Sequence, residues 1–162
     1  MTILETRTQD WPDEAACAAA AANLASRPAV RRAFITLHGT LGAGKTTFTR
    51  HLLRALGVAG PIKSPTYAML EEYPLAADAT AGDSVGTAWH FDFYRFSDPH
   101  EWEDAGFRDI FAQDGLKLAE WPEKAGALLP QADLGIHLVP GHGDTRTATF
   151  EAHSPRGREL LP

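Results

Sequence analysis

37-LHGTLGAGKTTF-48 sets Gly39, Gly42 and Gly44 around a single lysine, Lys45, between an apolar run and a segment of helical period. The run, Ala33 to His38 (AFITLH), is short and mixes aromatic with β-branched residues, which suits a buried parallel strand. Downstream, Phe48, Leu52, Ala55 and Leu56 fall on one helical stripe, and Gly57 is placed to close that helix. Strand, glycine-rich turn and helix therefore follow one another. Within the turn, Gly39, Gly44, Lys45 and Thr46 fit G-x-x-x-x-G-K-[ST] without a gap. Glycines allow backbone angles that a Cβ forbids, so successive N–H groups can converge on phosphate oxygens, and the helix adds its positive end. A lysine here reaches β and γ phosphates, and a threonine hydroxyl supplies one oxygen to an octahedral Mg²⁺. Gly39, Thr40, Leu41, Gly42, Ala43, Gly44, Lys45, Thr46 and Thr47 are thus the expected cradle for a nucleoside triphosphate, with ATP and Mg²⁺ as cofactors.

Chemistry on the γ phosphate also requires an acid at a strand end, to hold the metal shell and orient water. Two candidates qualify. Glu120 ends LKLAE, an apolar strand interrupted only by Lys117, and Asp92 lies in the alternating WHFDFYR. Each sits among apolar neighbours, where an unpaired charge is costly. In KSPTY, Pro65 stiffens a turn, and Thr66 is a candidate for ordering on the γ phosphate or the metal. The expected catalytic set is Lys45, Asp92, Glu120 and Thr66, and the expected metal set is Thr46 and Glu120. Which of the two acids orients the water stays open at this level.

The remaining chain reads as helices mixed with strands. ILETRT alternates as a short strand. Asp10 and Pro12 ahead of an alanine-rich stretch to Ser26 read as a capped helix. SPTYAMLEEY and AWHFDFYRF form an expected hairpin with a long, mobile tip, AADATAGDSVGT. SDPHEWEDAGFRDIF starts a helix capped by Ser97 or Asp98, and LGIHLVPGHGDTRTATFEA reads as a terminal hairpin. SPRGREL is either a solvated tail or the source of an arginine near phosphate. The fold class is α/β, a three-layer P-loop NTPase-like fold whose central, mostly parallel sheet is flanked by helices. The whole chain, 1–162, is expected to be one domain.

Composition narrows the functions. Net charge is −6, with eight Lys or Arg against four Asp or Glu up to Thr66, and seven against seventeen beyond it. That balance argues against binding nucleic acid through a broad basic surface, yet leaves a local phosphate site. The run Ala15 to Ala22 is too short to span a membrane, and Asp13 and Glu14 precede it where a signal peptide carries positive charge. The single cysteine, Cys17, can form no internal disulfide, and the expected location is the cytoplasm. The seven histidines show no tight metal-ligand spacing with a cysteine.

GTLGAGKTTF, KSPTY, HFDFYR and EWPE, in this order and spacing, resemble the TsaE family, also called YjeE, over about Arg32 to Leu138. The resemblance implies a small bacterial P-loop ATPase of tRNA threonylcarbamoyladenosine biosynthesis. It acts with TsaD-like and TsaB-like proteins on the adenosine next to the anticodon, and meets tRNA indirectly through that complex. The TsaD-like protein carries out the transfer; the TsaE-like chain, a weak ATPase alone, resets or sustains turnover. Carried over, Thr46 and Glu120 look like metal-site positions, and Asp92, Thr66 and Trp121 like further functional positions. Thr40 departs from the acid the family commonly has in GDLGAGKT, and the hairpin insert is long. A small-molecule P-loop kinase, with Arg156 and Arg158 as its only lid candidates, and a non-catalytic nucleotide-dependent assembly module are the alternatives. No N-K-x-D segment for reading guanine is present.

Overall fold

The computed structural model describes residues 2–65, 68–77 and 86–162. Thr66 and most of the hairpin insert lie outside the described residues. Seven strands form one mixed sheet: β1 (Glu5–Trp11), β2 (Phe34–His38), β3 (Leu70–Pro74), β4 (Thr87–Asp92), β5 (Leu116–Glu120), β6 (Leu134–Pro140) and β7 (Arg146–Ala152). Their order is β1-β7-β6-β2-β5-β4-β3. The central four, β6-β2-β5-β4, run parallel, while the β6–β7, β7–β1 and β4–β3 pairs are antiparallel.

Strand alternation sorts the apolar residues onto two faces. Ile35, Leu37, Leu116, Leu118, Leu134 and Ile136 join one core with helices α1 (Glu14–Ala25) and α2 (Lys45–Ala55) through Leu24, Phe48, Leu52 and Leu53. Phe34, Trp89, Phe91 and Ala119 face the other way, onto short helices α3 (Glu101–Asp104) and α4 (Phe107–Phe111) through Trp102 and Phe107. The predicted helix–sheet–helix layering is present. Both expected hairpins form as well, in registers such as Leu70 opposite Phe91 and Ile136 opposite Phe150.

Three local expectations change. Asp10 does not cap α1; it lies in β1, where Oδ1 accepts a hydrogen bond from the Thr147 hydroxyl at 3.2 Å. Pairing with β7 carries β1 on to Trp11, so the cap falls to Asp13, whose side chain accepts from Ala16 N. The helix expected after Asp98 is broken into α3 and α4, because Gly106 adopts a left-handed conformation (φ 74°) between them. SPRGREL is no loose tail: helix α5 (Pro155–Glu159) is capped by Ser154, and Asp133, just before β6, binds both the Ser154 hydroxyl and Phe34 N. That contact puts α5 at the start of β2 and β6, the opposite end of the sheet from the glycine-rich turn.

Phe48 joins α2 to the sheet: it is fully buried and its ring stacks on Trp11 at 5.6 Å. Truncation leaves a void under the first turns of α2. We expect Phe48→Ala to lower unfolding stability by about 3–5 kcal/mol, measured by urea denaturation.

Candidate functional site

The turn at residues 39–44 emerges from the carboxyl end of β2 and runs straight into α2. Gly39 (φ 153°) is the tightest point: a Cβ there would meet the Leu138 carbonyl oxygen at 2.7 Å and Ala43 Cβ at 2.9 Å. Gly44 (φ 107°) occupies the N-cap position of α2 with no side chain capping it, so the first amides of an 11-residue helix point outward. Such a helix end, wrapped by the turn, is an anion-binding concavity.

Lys45 is 5% exposed, yet its Nζ is not stranded. It donates to the Gly39 carbonyl and, at 3.3 Å, to the Thr40 carbonyl, and it lies 3.8 Å from the Trp121 ring centroid. Burial lowers its pKa, partly offset by Glu120, Glu123 and Asp92. Thr46, one residue on, donates its hydroxyl to both oxygens of Glu120, at 3.0 and 3.1 Å.

Parallel pairing explains how Glu120 gets there. β5 lies beside β2, with Leu37 opposite Glu120, and β4 lies beside β5, with Asp92 opposite Glu120. Both acids end their strands on the face covered by α2. Asp92 Oδ1 accepts from Tyr94 N at 2.9 Å. Burial pushes the Asp92 carboxyl above its ordinary range; the Tyr94 amide opposes this and the Glu120 charge adds to it. A cleft of about 360 Å³ joins these residues, lined by 41–47 together with Ser64, Asp92, Tyr94, Glu120, Trp121 and Arg146.

The structure therefore gathers Lys45, Thr46, Asp92 and Glu120 from three separate segments, and it adds two residues the sequence reading passed over. Arg146 starts β7 and donates through Nε to the Ala43 carbonyl at 2.9 Å and through a terminal nitrogen to that of Gly42 at 3.4 Å. No local motif announces it, since the β6–β7 hairpin alone carries it to the turn. His90 sits under Glu120, its Nε2 2.6 Å from Oε2. Its signal was the alternation of β4, which puts His90 on the same face as Asp92. Arg156 and Arg158 contribute nothing to the cleft: they approach Asp133 and Glu5 at 3.7 and 4.0 Å, at the far end of the sheet. Trp121 has a left-handed backbone (φ 55°), a conformation that costs a non-glycine residue about 1–3 kcal/mol, and this turn lays its ring over Lys45.

A family model described as threonylcarbamoyl adenosine biosynthesis protein TsaE matches residues 11–148. The chain belongs to the TsaE family. A TsaE protein of Haemophilus influenzae, named for tRNA threonylcarbamoyladenosine biosynthesis, is 40% identical over 127 residues, 78% of this chain and 75% of its own. The TsaE protein of Bacillus subtilis, named alike, is 38% identical over 118 residues, 73% and 68% of the two chains. The crystal structure of YdiB from Bacillus subtilis superposes with a TM-score of 0.77 at 28% identity, covering 99% of this chain and 94% of the other. The TsaE match takes in all four motifs and extends beyond them to Arg146 and the β6–β7 hairpin. Among the described residues, no helix is long and apolar enough to cross a membrane.

Next to Gly39, at the end of β2, the His38 ring stacks on His137 at 4.2 Å. Burial, with His137, His153 and Lys45 nearby, pushes the His38 pKa down from 6.5 to about 4. The unfolded chain therefore binds the proton first, so the His38 contribution to stability is complete above pH 6.5 and is lost as pH falls toward 4. In urea denaturation across that window, His38→Gln should show a shallower acid loss than the native chain.

Proposed function

We propose that this chain is a single-domain Mg²⁺-dependent ATPase that serves, in the cytoplasm, the complex forming N6-threonylcarbamoyladenosine next to the anticodon of tRNA. The observation that carries the reading is the Thr46–Glu120 hydrogen bond at the mouth of an amide-lined turn. It joins the hydroxyl of the residue after Lys45 to a carboxylate at the end of β5, the strand parallel to β2, within one cleft.

The donor set fits magnesium. Mg²⁺ takes one or two protein oxygens and fills its shell with phosphate and water, and a hydroxyl beside a carboxylate supplies that. Among the described residues no group of three His, Cys, Asp or Glu could hold a metal by itself. Thr46 and Glu120 would hold the ion, which would supply positive charge to offset that of the phosphates.

The protein's own residues do the rest. Amides from residues 39–46 cradle the phosphates, Gly39 keeping the turn tight against Leu138. Lys45 exchanges its carbonyl partners at Gly39 and Thr40 for phosphate oxygens, under the cover of Trp121. Arg146 braces the Gly42 and Ala43 carbonyls, which fixes the direction of the following amides. Glu120 is engaged by Thr46 and His90, whereas the described residues offer Asp92 Oδ2 no donor. Asp92 is therefore the acid that orients the attacking water, and its raised pKa suits it to take the proton. Thr66 belongs to the proposed site through its motif alone. A second pocket, between Trp11, Asp13, Cys17 and Leu138, shares Ala43, Gly44, Thr47 and Arg146 with the cleft and is the place for base and ribose.

Leu41 is 73% exposed and Tyr94 42%, giving the mouth of the cleft an apolar rim. That rim supports the partner part of the reading: TsaD-like and TsaB-like proteins cover it and raise an otherwise weak turnover, with tRNA reached only through them. A small-molecule kinase lid gains no support from Arg156 and Arg158, which lie away from the cleft.

Hydrolysis of Mg-ATP with and without TsaB and TsaD partners tests the whole reading; absence of any stimulation contradicts it. Lys45→Ala should weaken ATP binding by about 10–100-fold in calorimetry, the loss of one charge-assisted phosphate contact. Asp92→Asn and Glu120→Gln should still bind ATP while stimulated turnover falls about 100-fold or more. Undiminished tRNA modification by the complex carrying Glu120→Gln, with ATP hydrolysis lost, would instead favour a non-catalytic assembly module.

A further inference from the structure

Glu120 is 2% exposed and His90 fully buried, and the two meet at 2.6 Å, shorter than either bond from Thr46. A carboxylate only accepts hydrogen bonds, so the proton of this contact lies on Nε2. The other ring nitrogen, Nδ1, is buried and has no hydrogen-bond partner among the described residues. A side chain kept for packing alone would be apolar and leave no such atom unsatisfied. The benefit that offsets Nδ1 therefore sits at Nε2, on Glu120.

The placement of the ring shows what that benefit is. His90 precedes Asp92 by two residues on β4 and shares its face, and the register sets Asp92 opposite Glu120. The Glu120 side chain is thus held from two sides, by the Thr46 hydroxyl toward α2 and by the His90 ring back along β4. Remove the ring and the carboxylate is held from the α2 side alone, free to leave its rotamer under repulsion from the neighbouring Asp92. Thr46 cannot prevent this alone, because its single proton is shared between both carboxylate oxygens.

We propose that His90 is a positioning residue of the nucleotide site: its Nε2–H locks the rotamer of Glu120, so that the carboxylate stays beside the Thr46 hydroxyl, the pair that would hold Mg²⁺. This rests on the proposed Mg-ATP reading and adds to it the group that supports the metal-binding acid. Such supporting hydrogen bonds typically carry about 10–100-fold in metal affinity or activity.

The test compares His90→Asn with His90→Gln. The glutamine amide nitrogen reaches the place of Nε2, and the shorter asparagine amide does not. Binding of a non-hydrolysable ATP analogue is measured by calorimetry in Mg²⁺ and again in EDTA, with thermal unfolding of both variants as the control for lost packing. In the native chain, Mg²⁺ should tighten binding. His90→Asn should lose about tenfold of that gain while its affinity in EDTA stays within about twofold, and His90→Gln should regain most of it at a similar Tm. A full Mg²⁺ gain in His90→Asn overturns the role of His90 and leaves the ATPase reading standing, as does a His90→Gln variant no better than His90→Asn. A native chain that gains nothing from Mg²⁺ overturns both.

Discussion

The hydrogen bond from Thr46 to Glu120 ties the first turn of α2 to the carboxyl end of β5, and the candidate site is organised around it. It forms because β5 lies parallel and adjacent to β2, so that both strands end at the same level. Between that level and α2, the glycine-rich turn must be compact enough for Gly39 to touch Leu138. Shift β5 by one residue and Glu120 would point to the face of Trp89 and Phe91 instead, leaving a buried acid among aromatic rings. Register is thus enforced by the hydrophobic pattern, and the chemistry inherits it.

The two cores divide the labour. The face carrying α1 and α2 holds both acids of the cleft, Asp92 and Glu120, and, beneath them, His90. The opposite face is packed with Phe91, Phe93, Phe96 and Phe107 in mutual ring contact, and with Trp102 against Phe111. This aromatic layer anchors β4 from behind, and so holds Asp92 and His90 without touching the cleft. Charge at the site is correspondingly concentrated: one ammonium, two carboxylates and the helix end lie in a low-dielectric corner, where burial moves the Lys45 and Asp92 pKa values toward the neutral forms.

Most of this was legible where local pattern and tertiary structure agree. The turn at 39–44, the stripe of α2, the strand ending at Glu120 and both hairpins follow from residue type and spacing. So does the partnership of Asp92 with Glu120, since two apolar strands each ending in an acid place those acids side by side once paired in parallel. What was not legible depends on pairing across long sequence distance. Arg146 reaches the turn only because β7 folds back on β6, and Asp10 lost the cap of α1 to Asp13 because β1 pairs with β7 as far as Trp11. Gly106 splits α3 from α4 by a backbone angle that composition permits without requiring. His90 shares a strand face with Asp92, but its contact with Glu120 appears only in the paired sheet. Family membership, established by the TsaE match over 11–148, agrees with the motif order without assigning any of these roles.

A crystal structure of the chain with Mg²⁺ and a non-hydrolysable ATP analogue tests the central claim most directly. The account predicts β and γ phosphates on the amides of residues 39–46, Lys45 Nζ moved from the Gly39 and Thr40 carbonyls onto phosphate oxygen, and the metal bound at Thr46 within reach of Glu120. A triphosphate bound elsewhere, or a metal shell that excludes both Thr46 and Glu120, would contradict it.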